Sequence, residues 1–423
     1  MKFILVSKYG DGCHLLWQIK CEGNEVELYM TRKGANNWEG ILPKAESLPL
    51  EKDAVYIFDT SGNSKIAESL LRRNYSVVCS SKMADDLEFD REYGLEIMKE
   101  IGIQIPESHK FKTCEEAANF LRGKKERYVF KPSGEGLPCY LSHVPEEGED
   151  VSYYVEYISK THSKEIESVE VQRFIEGVAI STEGWFNGFH FIRPFNHTIE
   201  KKKFLNDDLG PATGCAGNVV WTCDEDEIVH QLRKLEPFLQ GKYIGPIDIN
   251  MIVNEEGCYG LEWTPRFGYD ALPALLPLFT DDVGKFLSDI VRNQFEGEMP
   301  LSGDYSAALR VSVPPYPEDL ECMPYNMKES EIPGGLPIND VDEESDSYYF
   351  YEIMMQEDRL VHCDGFGVIL CALAQGNGCK EAMSRAFDVA ESLSIPNKSY
   401  RTDLDKVISN EYEEVMSCLT LKT

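Results

Sequence analysis

The chain has 423 residues, 42% of them hydrophobic, enough for more than one buried core and for roughly two to four modules. Its 73 Asp and Glu outnumber 42 Lys and Arg, a formal charge of −31 that argues against nucleic acid or an anionic membrane surface as a partner. The cysteines, 13 in number and without a CxxC pair, argue against a disulfide framework or structural zinc and for a reducing cytoplasm.

Residues 2–7 (KFILVS) are too short an apolar run for a signal peptide and read as a buried parallel strand. No other apolar stretch approaches membrane-spanning length. The turn Tyr9-Gly10-Asp11-Gly12 leads into a helix over 13–21, followed by strands at 25–30 and 54–59. A second loop, Thr60-Ser61-Gly62-Asn63, opens a helix through Leu71, and 76–79 make a fourth strand. Strand, glycine loop and helix in repetition predict a parallel α/β sheet, with a ligand crevice at the strands' carboxyl ends. Both glycine loops fall there. A loop before a helix offers N–H groups to an anion, so Gly10, Gly12, Ser61 and Gly62 are candidate substrate contacts; the plainer alternative is a pair of tight turns.

Residues 85–101 read as one helix carrying Arg91, closed by Gly102 and Pro106. A second module follows: a helix over 115–121, a strand over 128–132 (YVFKP), and the loop Ser133-Gly134-Glu135-Gly136. Lys131 ends an apolar strand just before that loop. Its ammonium either reaches an anion or snorkels to the surface. Strands are expected at 168–175, 178–186 and 189–195, the first two around Glu176-Gly177. The segment 200–221 reads as loop-like in its middle, gathering lysines, aspartates and small turn residues; it grips something charged or is a polar surface loop. A helix over 224–239 comes next.

The most informative stretch is the hairpin that follows. IDINMIV, a turn at 254–257 and CYGLEWT form its two strands. Alternation puts Asp248 and Asn250 on one face and lets Glu262 meet Asp248 across the pair. Hard oxygen ligands of this kind hold Mg²⁺ between protein and nucleotide phosphates. Arg266, just past the strand end, can grip a carboxylate or phosphate bidentately. An edge hairpin with solvated acids is the alternative. After a helix over 282–295, a separate α+β module is expected, with strands at 307–313, 348–355, 359–363 and 365–374. It adds a helix over 381–392 and closes on Tyr400-Arg401-Thr402-Asp403; the acid run 342–346 is read as solvated loop.

In this order the features resemble the ATP-grasp ligases, and among them the phosphoribosylamine–glycine ligases. Residues 9–14 stand in place of that family's opening Gly-Gly-Arg-Glu-His-Ala loop, and 87–91 (LEFDR) in place of Leu-Glu-Gly-Ser-Lys. Residues 129–132 match its Val-Val-Lys strand, and 172–177 (QRFIEG) its Glu-Glu-Phe-Leu-Glu-Gly hinge around adenine. Residues 208–214 (DLGPATG) resemble Asp-Thr-Gly-Pro-Asn-Thr-Gly, and 262–268 (EWTPRFG) resemble Glu-Phe-Asn-Cys-Arg-Phe-Gly. The Tyr-Arg-Thr-Asp close also matches the family's tail.

The resemblance implies α/β and α+β architecture: an ATP-grasp fold with an N-terminal parallel α/β domain (1–108) and a C-terminal α+β domain (299–423). Between them lie a small nucleotide-clamping lobe (109–190) and a large lobe carrying the metal and acyl-phosphate site (191–298). It implies ATP contacts at Arg91, Lys131, Gln172, Phe174, Ile175 and Glu176, and Mg²⁺ (Mn²⁺ as the substitute) on Glu262, Asp248 and Thr264. Arg266, Lys202 and Asp208 are the implied catalytic residues, and Pro211, Thr213 and Gly214 join the two glycine loops as substrate contacts. The implied chemistry is phosphorylation of a carboxylate by ATP, then attack of an amine on the acyl phosphate. The partners would be glycine or another amino acid and phosphoribosylamine or a related amine, in a monomer or homodimer. There are departures. Thr264 replaces an Asn, the flap carries Glu135 and lacks a second lysine, the opening loop loses its Arg-Glu-His order, and Tyr269-Asp270 replaces Asp-Pro-Glu. They leave open the same chemistry on a modified nucleotide or sugar amine, or a nucleotide-binding protein impaired in catalysis.

Overall fold

The computed structural model describes residues 1–32, 34, 36–133, 149–161, 166, 168–269, 271–303, 305–317, 334–341 and 345–420. The expected Gly134-Glu135-Gly136 loop and the acids at 342–344 lie outside the described residues, as does Asp270.

The chain opens with β1 (Lys2–Ser7), α1 (Cys13–Cys21), β2 (Glu25–Met30), β3 (Val55–Phe58), α2 (Ser64–Leu71) and β4 (Ser76–Val78). The strands form a parallel sheet in the order β2-β1-β3-β4, with Phe3 opposite both Val26 and Val55. Consecutive residues Phe3, Ile4, Leu5 and Val6 are all fully buried, so both faces of β1 are covered. Burying side chains of this size contributes about 1.5–3 kcal/mol each. The single helix expected over 85–101 is two, α3 (Lys82–Phe89) and α4 (Arg91–Glu100). Asp90, at φ −92° and ψ 84°, is not helical; its carboxylate accepts the Tyr93 N–H at 3.1 Å and starts a new helix. Ser81 caps α3 in the same way, accepting from Ala84 at 3.1 Å.

A small lobe follows, built from β5 (Ser108–Phe111), α5 (Cys114–Leu121), β6 (Tyr128–Ser133), α6 (Glu149–Thr161) and β7 (Ser168–Arg173). Its antiparallel strands run in the order β5-β7-β6. Leu121, Phe130, Val155 and Val171 belong to a core of its own, distinct from the one that fills the rest of the molecule. The sequence pattern did not anticipate β5 or α6. Residues 174–177 lead out of the lobe, and Gly177 is demanded there. Its φ is +146°, and a Cβ would lie 2.4 Å from the Val253 carbonyl oxygen.

The rest comprises β8 (Val178–Phe186), β9 (Phe191–Leu205), β10 (Leu209–Cys223), α7 (Glu227–Arg233), α8 (Glu236–Leu239), β11 (Gly245–Asn254) and β12 (Gly257–Thr264). Next come α9 (Ala271–Leu275), α10 (Val283–Val291), β13 (Tyr305–Ser312), β14 (Tyr348–Phe350), β15 (Ile353–Gln356), β16 (Arg359–His362), β17 (Val368–Gly376), α11 (Cys379–Ser392) and α12 (Leu404–Thr420). One eight-stranded sheet runs β12-β11-β8-β9-β10-β13-β17-β14. The segment 200–221, expected to loop in its middle, is instead a long hairpin of β9 and β10. Its turn is made by Asp207 and Asp208, both at positive φ (58° and 53°), a conformation short polar side chains tolerate. Register shifts between Leu209 and Gly217 blur the period-two pattern that would have marked the strand.

The helix expected over 224–239 is broken into α7 and α8, with a proline in the first turn of α8. Of the strands expected in the C-terminal α+β module, β13, β14 and β17 join the large sheet, with Asn218 of β10 opposite Ala308 of β13, while β15 and β16 pair with each other in a two-stranded sheet. The chain does not close structurally at Asp403, since α12 follows. Among the described residues no helix is long and apolar enough to cross a membrane.

Candidate active site

The β11–β12 hairpin sets the register of the site. Asp248 stands opposite Thr264, and Asn250 opposite Glu262. The two acids therefore meet diagonally on one face, each directly across from a neutral polar residue. Asn250 fills the space between, its Nδ2 donating to Asp248 Oδ1 at 2.9 Å and to Thr264 Oγ1 at 3.0 Å. Asp248 and Thr264 are buried, whereas Glu262 reaches solvent.

On the other side of β11, Glu183 of β8 is paired with Asp248 and is 2% exposed. Burial pushes Glu183 up to about 8, with the Asp248 charge adding to it. Burial likewise raises Asp248 to about 7, against the pull of Arg266 and hydrogen bonds from Thr264 and Ser181. Adjacent buried carboxylates with raised proton affinity are a site for a cation. The donors here are carboxylate, amide and hydroxyl oxygens, the hard set that suits Mg²⁺ or Mn²⁺, so the residues present fit such an ion. Sequence reading missed Glu183 because only the β8–β11 register reveals its partner; Asn250 was already legible from alternation.

Arg266 lies beside this face. Its Nε donates to Glu88 Oε1 at 2.9 Å and its Nη1 to the Phe267 carbonyl at 3.0 Å, while its guanidinium sits 4.0 Å from the Tyr269 ring centre. Burial works against its charge, but Tyr269, Glu88 and Asp248 hold it protonated. Glu88 also receives a hydrogen bond from Ser61, so the second glycine loop is connected to Arg266 through one carboxylate. Lys202 is held protonated first by Glu200, 3.6 Å away, and then, against burial, by Glu262 and Asp248. The structure thus gathers Asp248, Glu262, Thr264, Lys202 and Arg266.

The nucleotide candidates divide between elements. Lys131 Nζ donates to Gln172 Oε1 at 2.8 Å across β6 and β7, and Gln172 Nε2 donates to Ser108 Oγ at 3.0 Å. The Arg127 guanidinium covers the Phe174 ring at 3.9 Å. Ile175 is half-buried, and the Glu176 carbonyl accepts from Asn254 Nδ2 at 2.7 Å, tying this segment to the β11–β12 turn. Arg91 opens α4. Asp208 has its carboxylate committed elsewhere, to Arg401 at 2.7 Å and Lys201 at 2.9 Å. Although burial opposes it, these two cations hold Asp208 below the usual carboxylate range. Pro211, Thr213 and Gly214 lie on β10, where Thr213 Oγ1 donates to the Lys202 carbonyl at 2.7 Å.

The glycine loops differ from expectation. Their amides are not left for an outside anion. Gly10 donates to Ser7 Oγ at 2.7 Å, and Gly12 to Asp59 Oδ2 at 2.8 Å. Gly62 donates to Asp85 Oδ1 at 2.8 Å and Ser64 to Asp85 Oδ2 at 3.2 Å. The Ser7 hydroxyl and the carboxylates of Asp59 and Asp85 accept these N–H groups.

Comparison with known proteins agrees with this architecture. Residues 89–270 match the family model described as phosphoribosylglycinamide synthetase, ATP-grasp (A) domain. The phosphoribosylamine–glycine ligase of Clostridium acetobutylicum is 22% identical, with 96% of this chain and 100% of that protein covered. The same enzyme of Leifsonia xyli subsp. xyli is 24% identical over 80% of each chain. Among solved structures, phosphoribosylamine–glycine ligase from Thermotoga maritima superposes with a TM-score of 0.70 at 19% identity, covering 95% of this chain and 100% of that one. A biotin carboxylase from Campylobacter jejuni, at 11% identity, gives 0.61 over 100% of this chain and 98% of its own. The fold is ATP-grasp.

Proposed function

We propose, from the premise that this chain is an ATP-grasp protein similar to phosphoribosylamine–glycine ligases, that it is an ATP-dependent ligase joining an amino-acid carboxylate to an amine through a C–N bond. The observation that carries this reading is the convergence of Asp248, Glu262, Lys202 and Arg266 beside one face of the β11–β12 hairpin. Such a site holds two anions, a γ-phosphate and a carboxylate, against each other without covalent help from the protein.

A carboxylate oxygen attacks the γ-phosphorus, the bond to the β-phosphate oxygen breaks, and ADP leaves. The amine nitrogen then attacks the acyl carbon, phosphate departs with the bonding pair, and the nitrogen gives up a proton. Arg266, held by Glu88 and Tyr269, presents its remaining N–H donors to the acyl phosphate; Lys202 offsets charge on the transferring group. Asp248, Glu262 and Thr264, with Asn250, would hold Mg²⁺ or Mn²⁺, whose charge offsets that of the phosphate tail when bound. Lys131, Gln172, Arg91, Phe174, Ile175 and Glu176 form the nucleotide side of the site. Asp208 acts through Arg401 as a positioning residue for the β9–β10 hairpin that carries Lys202, Pro211, Thr213 and Gly214. Glycine is the amino acid and phosphoribosylamine the acceptor in the relatives' reaction. A reducing cytoplasm suits the buried thiols of Cys13 and Cys79.

Loss of catalysis is the competing reading, and Thr264 motivates it. Asn250 counters it, since an amide absent at 264 is present within hydrogen-bond distance on the facing strand. ADP release measured with each standard amino acid, with and without an amine acceptor, tests the proposal. Stimulation by one or a few amino acids is expected. ATP binding with no stimulation across the panel refutes it.

A further inference from the structure

On the ligase reading above, we propose that the acceptor half of the site takes an unphosphorylated amine, recruited as an ammonium ion by Asp59 and Asp11, one of which accepts a proton before the nitrogen attacks, and discriminates against a phosphorylated sugar. The carboxyl ends of β1 and β3 are where a parallel sheet presents its ligand crevice, and loops opening α1 and α2 would ordinarily offer their amides to a phosphate. Here Asp59 and Asp85 accept from Gly12, Gly62 and Ser64, and the Ser7 hydroxyl takes the Gly10 N–H while donating to Asp59 at 2.6 Å. A dianionic phosphate entering either loop would have to displace a carboxylate and then remain beside it.

A second, independent observation points to a donor as the missing partner. Asp59 is 2% exposed, and although its Oδ2 is satisfied, its Oδ1 has no hydrogen-bond partner among the described residues. Ser80 Oγ, buried just past the carboxyl end of β4, is in the same condition. A buried carboxylate oxygen left without a donor is costly, and an ammonium group supplies both donor and counter-charge. Asp11 lies alongside, its backbone carbonyl accepting from Tyr349 Oη at 2.6 Å. Burial and then the Asp59 charge raise Asp11 to about 7, while Arg310 and Arg266 pull the other way. Asp59, raised by burial to about 6, is held down by Ser7 and Gly12. Arg266 is already neutralised by Glu88, and Glu352 adds a further negative charge near Asp11. The balance of this crevice is negative.

Calorimetric titration of the full chain with 1,4-diaminobutane and with ribose 5-phosphate tests the proposal. The diamine is expected to bind at least about tenfold more tightly, and Asp59→Asn to weaken it about tenfold or more. Asp11→Asn serves as a second variant should the first fail to fold. Absence of diamine binding, ribose 5-phosphate binding as tight as the diamine, or diamine affinity unchanged in both variants overturns the inference. Amino-acid-dependent positional isotope exchange in ATP needs no acceptor and separates this from the ligase reading. Exchange together with phosphoribosylamine as the best acceptor sinks the inference and leaves the ligase standing. No exchange with any amino acid removes the ligase reading, and the binding comparison then decides the crevice's preference by itself.

Discussion

Arg266 is joined to the Ser61 loop through Glu88, and replacing it with methionine keeps much of its volume while removing its charge. The Arg266–Glu88 pair has side chains 13% and 18% exposed, so it lies mostly out of solvent. Removing one partner of a buried ion pair costs about 3–5 kcal/mol. Residual exposure, and the Ser61 hydrogen bond that Glu88 keeps, reduce this to about 2–3 kcal/mol, the range for a hydrogen bond to a charged group. Urea unfolding of the wild type, Arg266→Met, Glu88→Gln and the double variant measures the coupling directly, and about 1.5–3 kcal/mol is expected. Additivity of the single effects within about 0.5 kcal/mol means that Glu88 does not hold Arg266. For turnover, loss of a preorganised charge partner lowers kcat by about 10²–10³. Arg266→Lys keeps the charge but not the fork or the stacking on Tyr269, and recovers only part of that loss. An Arg266→Met enzyme within about threefold of wild-type kcat would refute the assigned role.

Glu262 reaches solvent, so Glu262→Gln should leave the melting temperature unchanged while lowering kcat by about 10²–10³; an unchanged rate rules out the metal assignment. Asp59, Asp11 and Glu183 have folded values raised to about 6, 7 and 8. Their stabilising contribution is fully present below the unfolded carboxylate range and is lost as pH rises through those values. The urea midpoint should therefore fall between about pH 4.5 and about pH 8, and a flat or rising profile contradicts the burial argument. Arg401, fully buried, grips Asp403 at 2.7 Å, Asp208 at 2.7 Å and the Lys203 carbonyl at 3.0 Å. Discounting for the half-exposed Asp208, Arg401→Met should destabilise by about 2–4 kcal/mol in urea unfolding, and a change under about 0.5 kcal/mol would remove it as the anchor of the β9–β10 hairpin.

Local chemistry was legible in the sequence wherever one strand or one loop carried it. Alternation along β11 and β12 set Asp248, Asn250 and Glu262 on a common face, and the register keeps them there. The apolar run at Phe3 to Val6 and the glycine turns after β1 and β3 likewise gave the parallel sheet. What eluded the sequence depends on long-range partners. Asp85 and Glu88 fell within a single expected helix, because nothing local shows that one accepts from the Gly62 loop and the other clamps Arg266. Asp90 read as one more polar residue in a helical pattern, since an N-cap is told from an interior position by backbone angles and not by periodicity. The β9–β10 hairpin failed for a third reason. Bulges break the alternation, and its lysines and aspartates are paired with residues from β9 itself and from the C-terminal segment, Arg401 and Glu411.

The small lobe has a hydrophobic core separate from the rest, and the chain leaves it through residues 174–177. On the function proposed above, a nucleotide held by Lys131 and Gln172 on one side and by the β11–β12 face on the other spans two separately packed cores. Its measured affinity equals the intrinsic one scaled by the share of molecules in which those cores stand at spanning distance. Gly177, which lets the backbone pass close to Val253, and Asn254, latched to the Glu176 carbonyl, sit at that joint. Substitutions there would tune ATP affinity without touching ATP, a dial set by the geometry of the joint instead of the chemistry of the pocket.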